Sequence, residues 1–320
     1  MQSRGALSII AVFILVMVTA SAQTRSDADG AYNRAREWYI KGDFDRAIEN
    51  FTRAIELSSH PDYRNGGRRQ NWNEEMHLTN ADSHSAAIVM IDPLTALAFE
   101  GRALARFRTG DTEAAIADSD RAIAINPGLL QAYHNRGIMR WTAGDTEGAI
   151  NDFDQVIRKN PLDSQAFNTR GKVRMAKDDL IGALADFDQA LQLDPRRAEF
   201  YSDRGEAREE MGNVDDALRD LDQAVALDPR LARAYHCRAM VWRDKNDLNR
   251  AVADMTRAIE VDPQFAVAFA NRGLIRLALG EEDKAERDFA ESLRLDASLK
   301  QTLEQRIQTQ KANREKRQEK

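Results

Sequence analysis

This chain reads as all-α, a solenoid of 34-residue helix–turn–helix units, and three observations carry that reading. Proline recurs at Pro127, Pro161, Pro195, Pro229 and Pro263, each 34 residues after the last. Alanine keeps the same interval at Ala47, Ala115, Ala149, Ala183, Ala217, Ala251 and Ala285, and a second small site runs through Ala54, Ala122, Val156, Ala190, Ala224, Ala258 and Ser292. Large apolar residues stand between the two small columns, at Phe51, Phe153, Phe187, Leu221, Met255 and Phe289. A fixed period of this length marks one supersecondary unit copied along the chain. Small residues let helix backbones approach and large ones fill the space between them.

The chain begins with Met1–Arg4, an almost wholly apolar stretch Ala6–Val18, and the small residues Ala20-Ser21-Ala22. That order is expected for a secretory signal peptide over 1–22, cleaved before Gln23. An uncleaved membrane anchor is the competing reading, because the apolar run approaches the shorter end of spanning length. The region has no cysteine to take a lipid. The single cysteine, Cys237, leaves no partner for an intrachain disulfide and sits at an inward helical position. The expected location is outside the inner membrane: periplasmic in a bacterium, secreted otherwise.

Each copy divides into two helices. In the copy 130–163, Ala132–Ala143 is a first amphipathic segment, with Tyr133 and Gly137 four apart on one face. Gly144 supplies the C-terminal turn and Asp145 the next N-cap. The second segment, Glu147–Arg158, aligns Ala149, Ile150, Phe153 and Ile157 on one stripe, which is helical spacing. Asn160-Pro161 ends it, since proline cannot donate inside a helix. A hairpin this short cannot bury its apolar stripe alone, so the copies must stack.

These copies resemble tetratricopeptide repeats. That family's pattern places a small residue at the eighth position (here Ala35, Ala103, Gly137, Gly171, Gly205, Ala239, Gly273), alanine at the twentieth, an aromatic at the twenty-fourth, alanine at the twenty-seventh and proline at the thirty-second. Seven copies fit: 28–61, 96–129, 130–163, 164–197, 198–231, 232–265 and 266–299. The resemblance implies a right-handed superhelix whose concave face, lined by first helices, holds a partner. It says little about which partner, because the fold serves many functions. Some members of the family clamp a C-terminal carboxylate with lysine and asparagine in successive first helices. Here Tyr32, Arg36, Glu100, Leu104, His134 and Ile138 occupy that region, which is not the clamp pattern.

The stretch 62–95 is also 34 residues long, with Arg68, Ala81 and Pro93 on marked positions and Trp72 in register with Trp38 and Trp242. Gly66-Gly67 and the run Gln70–Asn73 disfavour helix. The shared register favours a decayed repeat over an insertion of chance length. The tail 300–320 is expected to provide a capping helix through Leu303 and Ile307, then a basic polar end, Lys311–Lys320. A solvated end is the plainer reading of that tail, and attraction to an anionic lipid or acidic protein the sharper one.

Charge falls in columns. Arginine holds the seventh position in all seven copies (Arg34, Arg102, Arg136, Arg170, Arg204, Arg238, Arg272), and aspartate the twenty-third in six (Asp118, Asp152, Asp186, Asp220, Asp254, Asp288), with Asn50 in the first. Pairing between them would fix helix–helix register. A second column, Arg106, Arg140, Arg174, Arg208 and Arg276, has fewer obvious partners and is expected to contact ligand.

The resemblance places the second, fifth, ninth, twelfth and thirteenth positions on the concave face. The residues expected to line a partner-binding groove are Tyr39, Phe107, Trp141, Arg140, Arg174, Glu206, Glu209, Glu210 and Arg243. Exposed aromatics beside a charged band suit an extended peptide or amphipathic helix. The formal net charge is −6, and removing 1–22 takes away only Arg4, leaving −7. That mild acidity argues against a nucleic-acid partner, which needs a basic stripe.

No nucleotide-binding, nucleophile-elbow or zinc-protease motif occurs, and no small-molecule substrate or cofactor is indicated. The expected function is an exported, non-catalytic scaffold for a protein or peptide segment. Two alternatives stand beside it. One is a metal-binding or catalytic loop at 60–85, where His60, His77 and His84 cluster with Glu74, Glu75 and Asp82. The other is an envelope-assembly scaffold held at the membrane by an uncleaved N-terminus.

Overall fold

A computed structural model of the chain describes residues 23–59 and 93–318. Fifteen helices and no strand occur among the described residues. The expected signal segment 1–22 and the histidine cluster of the 60–85 loop lie outside them. The chain divides into two units, Met1–Lys159 and Asn160–Lys320.

The first unit contains α1 (23–40), α2 (Phe44–Ser59), α3 (Pro93–Arg108), α4 (Thr112–Ile125), α5 (Leu130–Thr142) and α6 (Thr146–Lys159). Within 62–95, the last three residues belong to the first turn of α3. Pro93 opens that helix, a position where a missing N–H costs nothing. The rest of the stretch falls outside the described residues. The second unit contains α7 (Ser164–Ala176), α8 (Leu180–Leu193), α9 (Ala198–Glu210), α10 (Val214–Leu227), α11 (Ala232–Asp244), α12 (Leu248–Val261), α13 (Ala266–Leu279) and α14 (Glu282–Leu295). A 3₁₀ turn, Ala297–Leu299, leads into α15 (Lys300–Gln318).

The hairpin α5–α6 follows the sequence to within two residues. Gly144 has φ of +86° and the Asp145 carboxylate accepts from Gly148 N–H at 2.9 Å, so α6 starts at Thr146. Two copies place other residues in the left-handed turn, Asp178 and Asn246, the types that tolerate it best after glycine.

Packing follows the two small columns. Every alanine of the twentieth position is fully buried, and so are Ala54, Ala122, Ala190, Ala224 and Ala258 of the second column. Phe51, Phe153, Phe187, Leu221 and Met255 lie between them, at most 2% exposed. In the second unit, Ala270 and Leu274 of α13 pack with Leu303 of α15, and Phe289, Leu293 and Ile307 pack against them. Leu303 and Ile307, the two apolar residues expected to cap the last repeat, both belong to this cluster.

Candidate partner-binding groove

The arginine column is a bonding column. Arg102 donates through Nε and Nη2 to both carboxylate oxygens of Asp118, each at 2.8 Å. The same fork joins Arg136 to Asp152, Arg170 to Asp186, Arg204 to Asp220, Arg238 to Asp254 and Arg272 to Asp288. In the first copy Arg34 reaches only the amide oxygen of Asn50, at 3.4 Å. Six of these arginines, Arg34 excepted, also lie over the ring three residues earlier, such as Tyr133 beneath Arg136 at 5.5 Å.

The third arginine nitrogen reaches the preceding copy. Arg136 donates to Asp120 at 2.6 Å, Arg204 to Asp188 at 2.7 Å and Arg238 to Asp222 at 2.8 Å. Threonine takes that place where Arg102 meets Thr52 and Arg272 meets Thr256. One guanidinium thus binds its own hairpin and the one before it. The signal was present at the twenty-fifth position, where Thr52, Asp120, Asp154, Asp188, Asp222 and Thr256 recur.

The second arginine column requires a correction. Arg106, Arg140, Arg174, Arg208 and Arg276 each donate Nη1 to the aspartate that already holds the first arginine, at 2.7–2.9 Å. They lie one turn further along the helix, so two guanidinium groups converge on one buried carboxylate. Arg140 and Arg174 are therefore held within the repeat framework and do not lack partners.

Tyr39 and Phe107 are half-buried in packing clusters of the first unit. Tyr39 meets the edge of Phe44 at 5.4 Å, and Phe107 packs on Ala103, Ala115 and Met139. Trp141 is half-buried near the end of α5. The remaining expected residues, Glu206, Glu209, Glu210 and Arg243, assemble on α9 and α11 of the second unit.

That face carries a polar ladder which the sequence reading missed. Asn168 Nδ2 donates to Asp203 at 2.8 Å, and Asn271 Nδ2 meets His236 Nε2 at 2.8 Å. In the first unit Asn135 Nδ2 donates to Glu100 at 2.6 Å. Each pair joins the fifth position of one copy and the sixth of a neighbour, 35 residues apart. Polar residues at both positions were the available signal.

Arg233 bridges Asp203 and Glu206. Burial alone would lower its pKa, but the two carboxylates outweigh burial and hold it above the usual arginine range. Glu206 is thereby part of an ion pair. Burial, with a hydrogen bond to Asp244, pushes Glu209 up to about 7. Burial, Glu206 and Asp178 raise exposed Glu210. Cys237 is buried and pushed up to about 12, chiefly by that burial, which leaves an inert thiol.

Between α7, α9 and α11 this face opens into a cleft of about 260 Å³. Gln165, Lys172, Arg197 and Glu199 stand at its wall, with Asn168 and Asp203. Asn168 is 3% exposed, and its Oδ1 accepts no hydrogen bond. A buried acceptor left unsatisfied is costly and asks for a donor. Among the described residues no three of His, Cys, Asp and Glu converge as metal ligands, and no helix is long and apolar enough to cross a membrane.

The sequence matches tetratricopeptide-repeat profiles over 171–242, and over 135–198 and 238–299. Together these run without a break from 135 to 299. The chain belongs to the tetratricopeptide-repeat family. A tetratricopeptide repeat protein from Parabacteroides merdae has a similar structure, at 19% identity and a TM-score of 0.68, over 89% of this chain and 99% of that one. The Pseudomonas aeruginosa protein pilF aligns at 15% identity and 0.56, over 68% of this chain and 97% of its own. TTC0263, a thermophilic repeat protein of Thermus thermophilus, aligns at 20% and 0.51, over 57% and 99%. At these identities the likeness is one of fold. No curated protein matches the sequence.

Proposed function

We propose that this tetratricopeptide-repeat scaffold is an exported, non-catalytic binding protein that holds an extended protein or peptide segment against the first-helix face of its second unit. The observation that carries the reading is the cleft around Asn168. An extended segment brings a backbone N–H every residue, the donor that the buried Asn168 Oδ1 lacks. Lys172, Arg197 and Glu199 at the wall would then choose among side chains, since charged rims set specificity more than affinity. Export rests on the N-terminal sequence alone.

In-cell photo-crosslinking tests the groove. A crosslinker in place of Lys172, in the cleft, is expected to give a discrete adduct with another protein. One in place of Arg219, exposed on α10, is expected to give none. Equal labelling from both positions would refute a groove-specific partner. Export is tested separately by the mass of the mature N-terminus, which is expected to begin at Gln23.

A further inference from the structure

We propose that the cavity bounded by α11, α13 and α15 is an oxyanion-binding site, in which Arg243 and Arg306 grip a carboxylate or phosphate group of a bound ligand. The site stands at the C-terminal end of the same first-helix face and so rests on the groove reading. The cavity measures about 700 Å³, within the range that takes a small ligand or several residues of a chain. Its polar wall comes from Arg243 and Asn246 at the end of α11, Asn271 of α13, and Arg306, Thr309 and Gln310 of α15.

Arg306 is the distinctive member. The column arginines of the six copies from 96 to 299 share carboxylates at hydrogen-bond distance, whereas no carboxylate of the described residues pairs with Arg306. Burial and the neighbouring positive charge of Arg243 hold Arg306 below the usual arginine range. Arg306 is exposed as well as lining the cavity, and two neighbouring guanidinium groups that repel one another are relieved by an anion between them. The planar fork of Arg306 matches the paired oxygens of a carboxylate or phosphate, and Arg243 adds its charge beside it. Asp244 also lines the cavity, but its carboxylate is engaged by Arg243 at 2.6 Å and by Glu209.

Asn271 adds an independent observation. It is 4% exposed, lines the cavity, and its Oδ1 has no hydrogen bond while Nδ2 meets His236 Nε2. His236 stays neutral at physiological pH, because burial and the cations Arg233, Arg243 and Arg306 push its pKa down to about 4. Turning the amide over lets the His236 Nε2–H donate to Oδ1 and places the donor Nδ2 where the unpaired oxygen stood. Which orientation holds is decided by the hydrogen-bond network. An oxyanion in the cavity would accept from Arg306 and the turned amide, beside an Arg243 whose Nε and Nη2 face Asp244.

The experiment is calorimetric titration of the full mature chain with two probes, a hexaglutamate peptide and inorganic phosphate. Saturable binding of at least one is expected. R306Q and R243Q should each weaken it by about tenfold or more, the worth of one charge-assisted contact, and R219Q should leave it unchanged. Binding of hexaglutamate alone would identify a peptide carboxylate, and binding of phosphate alone a phosphate group. If neither probe saturates, or R306Q binds as the wild type does, the site is refuted. Protection of Arg306 from phenylglyoxal by the bound probe, read by mass spectrometry on unmutated protein, tests the same contact without a variant. Failure here with crosslinking from position 172 intact would overturn this site and leave the groove reading standing.

Discussion

A single aspartate carries two arginines in each of five copies, and its burial decides what its removal does. Asp118 is 1% exposed, with Arg102 and Arg106 both within 2.8 Å. Asp118→Ala leaves two converging cations without their anion, and breaking a buried pair this way costs about 3–5 kcal/mol. Urea denaturation of the two proteins measures it, and a cost below about 1 kcal/mol would show the column to be ornamental. In the first copy Arg34 is exposed and faces Asn50, so Asn50→Asp should gain no more than about 1 kcal/mol. Glu209 makes a prediction of opposite kind. Its ordinary pKa of 4.5 is raised to about 7 in the folded state, so the folded chain holds a proton that the unfolded chain releases. The stability from that proton is fully present below about pH 4.5 and is lost as pH rises through about 7. Because Glu209 and Asp244 share a hydrogen bond, the titration belongs to the pair. Glu209→Gln should flatten the dependence of melting temperature on pH between 5 and 8. An unchanged slope would remove the pair as its source.

At the scale of the helix pair, the eighth and twenty-fourth positions complement one another. Where the twenty-fourth is Phe153, Phe187, Leu221 or Phe289, the eighth is glycine. Where it is Ser119 or Met255, the eighth is alanine. A Cβ built on Gly137 would stand 3.0 Å from Phe153 Cζ, and one on Gly171 would stand 2.7 Å from Phe187 Cε1. The first copy departs, with Ala35 beside Phe51. There the ring meets Gly101 of α3, where a Cβ would approach Cζ to 2.4 Å. Gly171→Ala is therefore expected to overpack α7 on α8 by about 1–3 kcal/mol, less the helix propensity alanine gains. Adding Phe187→Met, the pairing already used by Ala239 and Met255, should recover part of the loss. Chemical denaturation of the single and double variants checks this, and additive losses would deny the coupling. This complementarity could be read from the sequence because each partner repeats at a fixed offset. So could the forks between the seventh and twenty-third positions. The second arginine column was misread because one carboxylate serves two cations, so counting residues one to one left Arg140 and Arg174 without partners. The ladder of Asn168, Asp203, His236 and Asn271 was missed for a different reason. Its members vary in type from copy to copy, and only their shared burial reveals them.

At the scale of the whole chain, a repeat array must close its last apolar face, and the second unit does so with α15. Residues 300–320 carry few apolar side chains, so the sequence suggested a cap through Leu303 and Ile307 but could not show where it would sit. In the structure α15 covers Ala270 and Leu274 of α13, side chains expected to line the open groove. Of the seventh copy's apolar concave residues, Leu274 is consequently buried and withdrawn from any partner that reaches the end of the array, Leu277 is buried too, and Val267 stays 37% exposed. Cap and oxyanion cavity are built from the same helix, and a change to one must be separated from a change to the other. Leu303 is 3% exposed, and Leu303→Ala should cost about 2–5 kcal/mol locally. In a repeat protein such a loss stays near its neighbours, because each unit contacts only those adjacent to it. Hydrogen exchange is therefore expected to show faster exchange in α13, α14 and α15, with protection in α8 and α9 unchanged. Uniform loss of protection across the second unit would mean that the cap is coupled to the whole of it. The oxyanion site and the groove would then respond together to any change in α15.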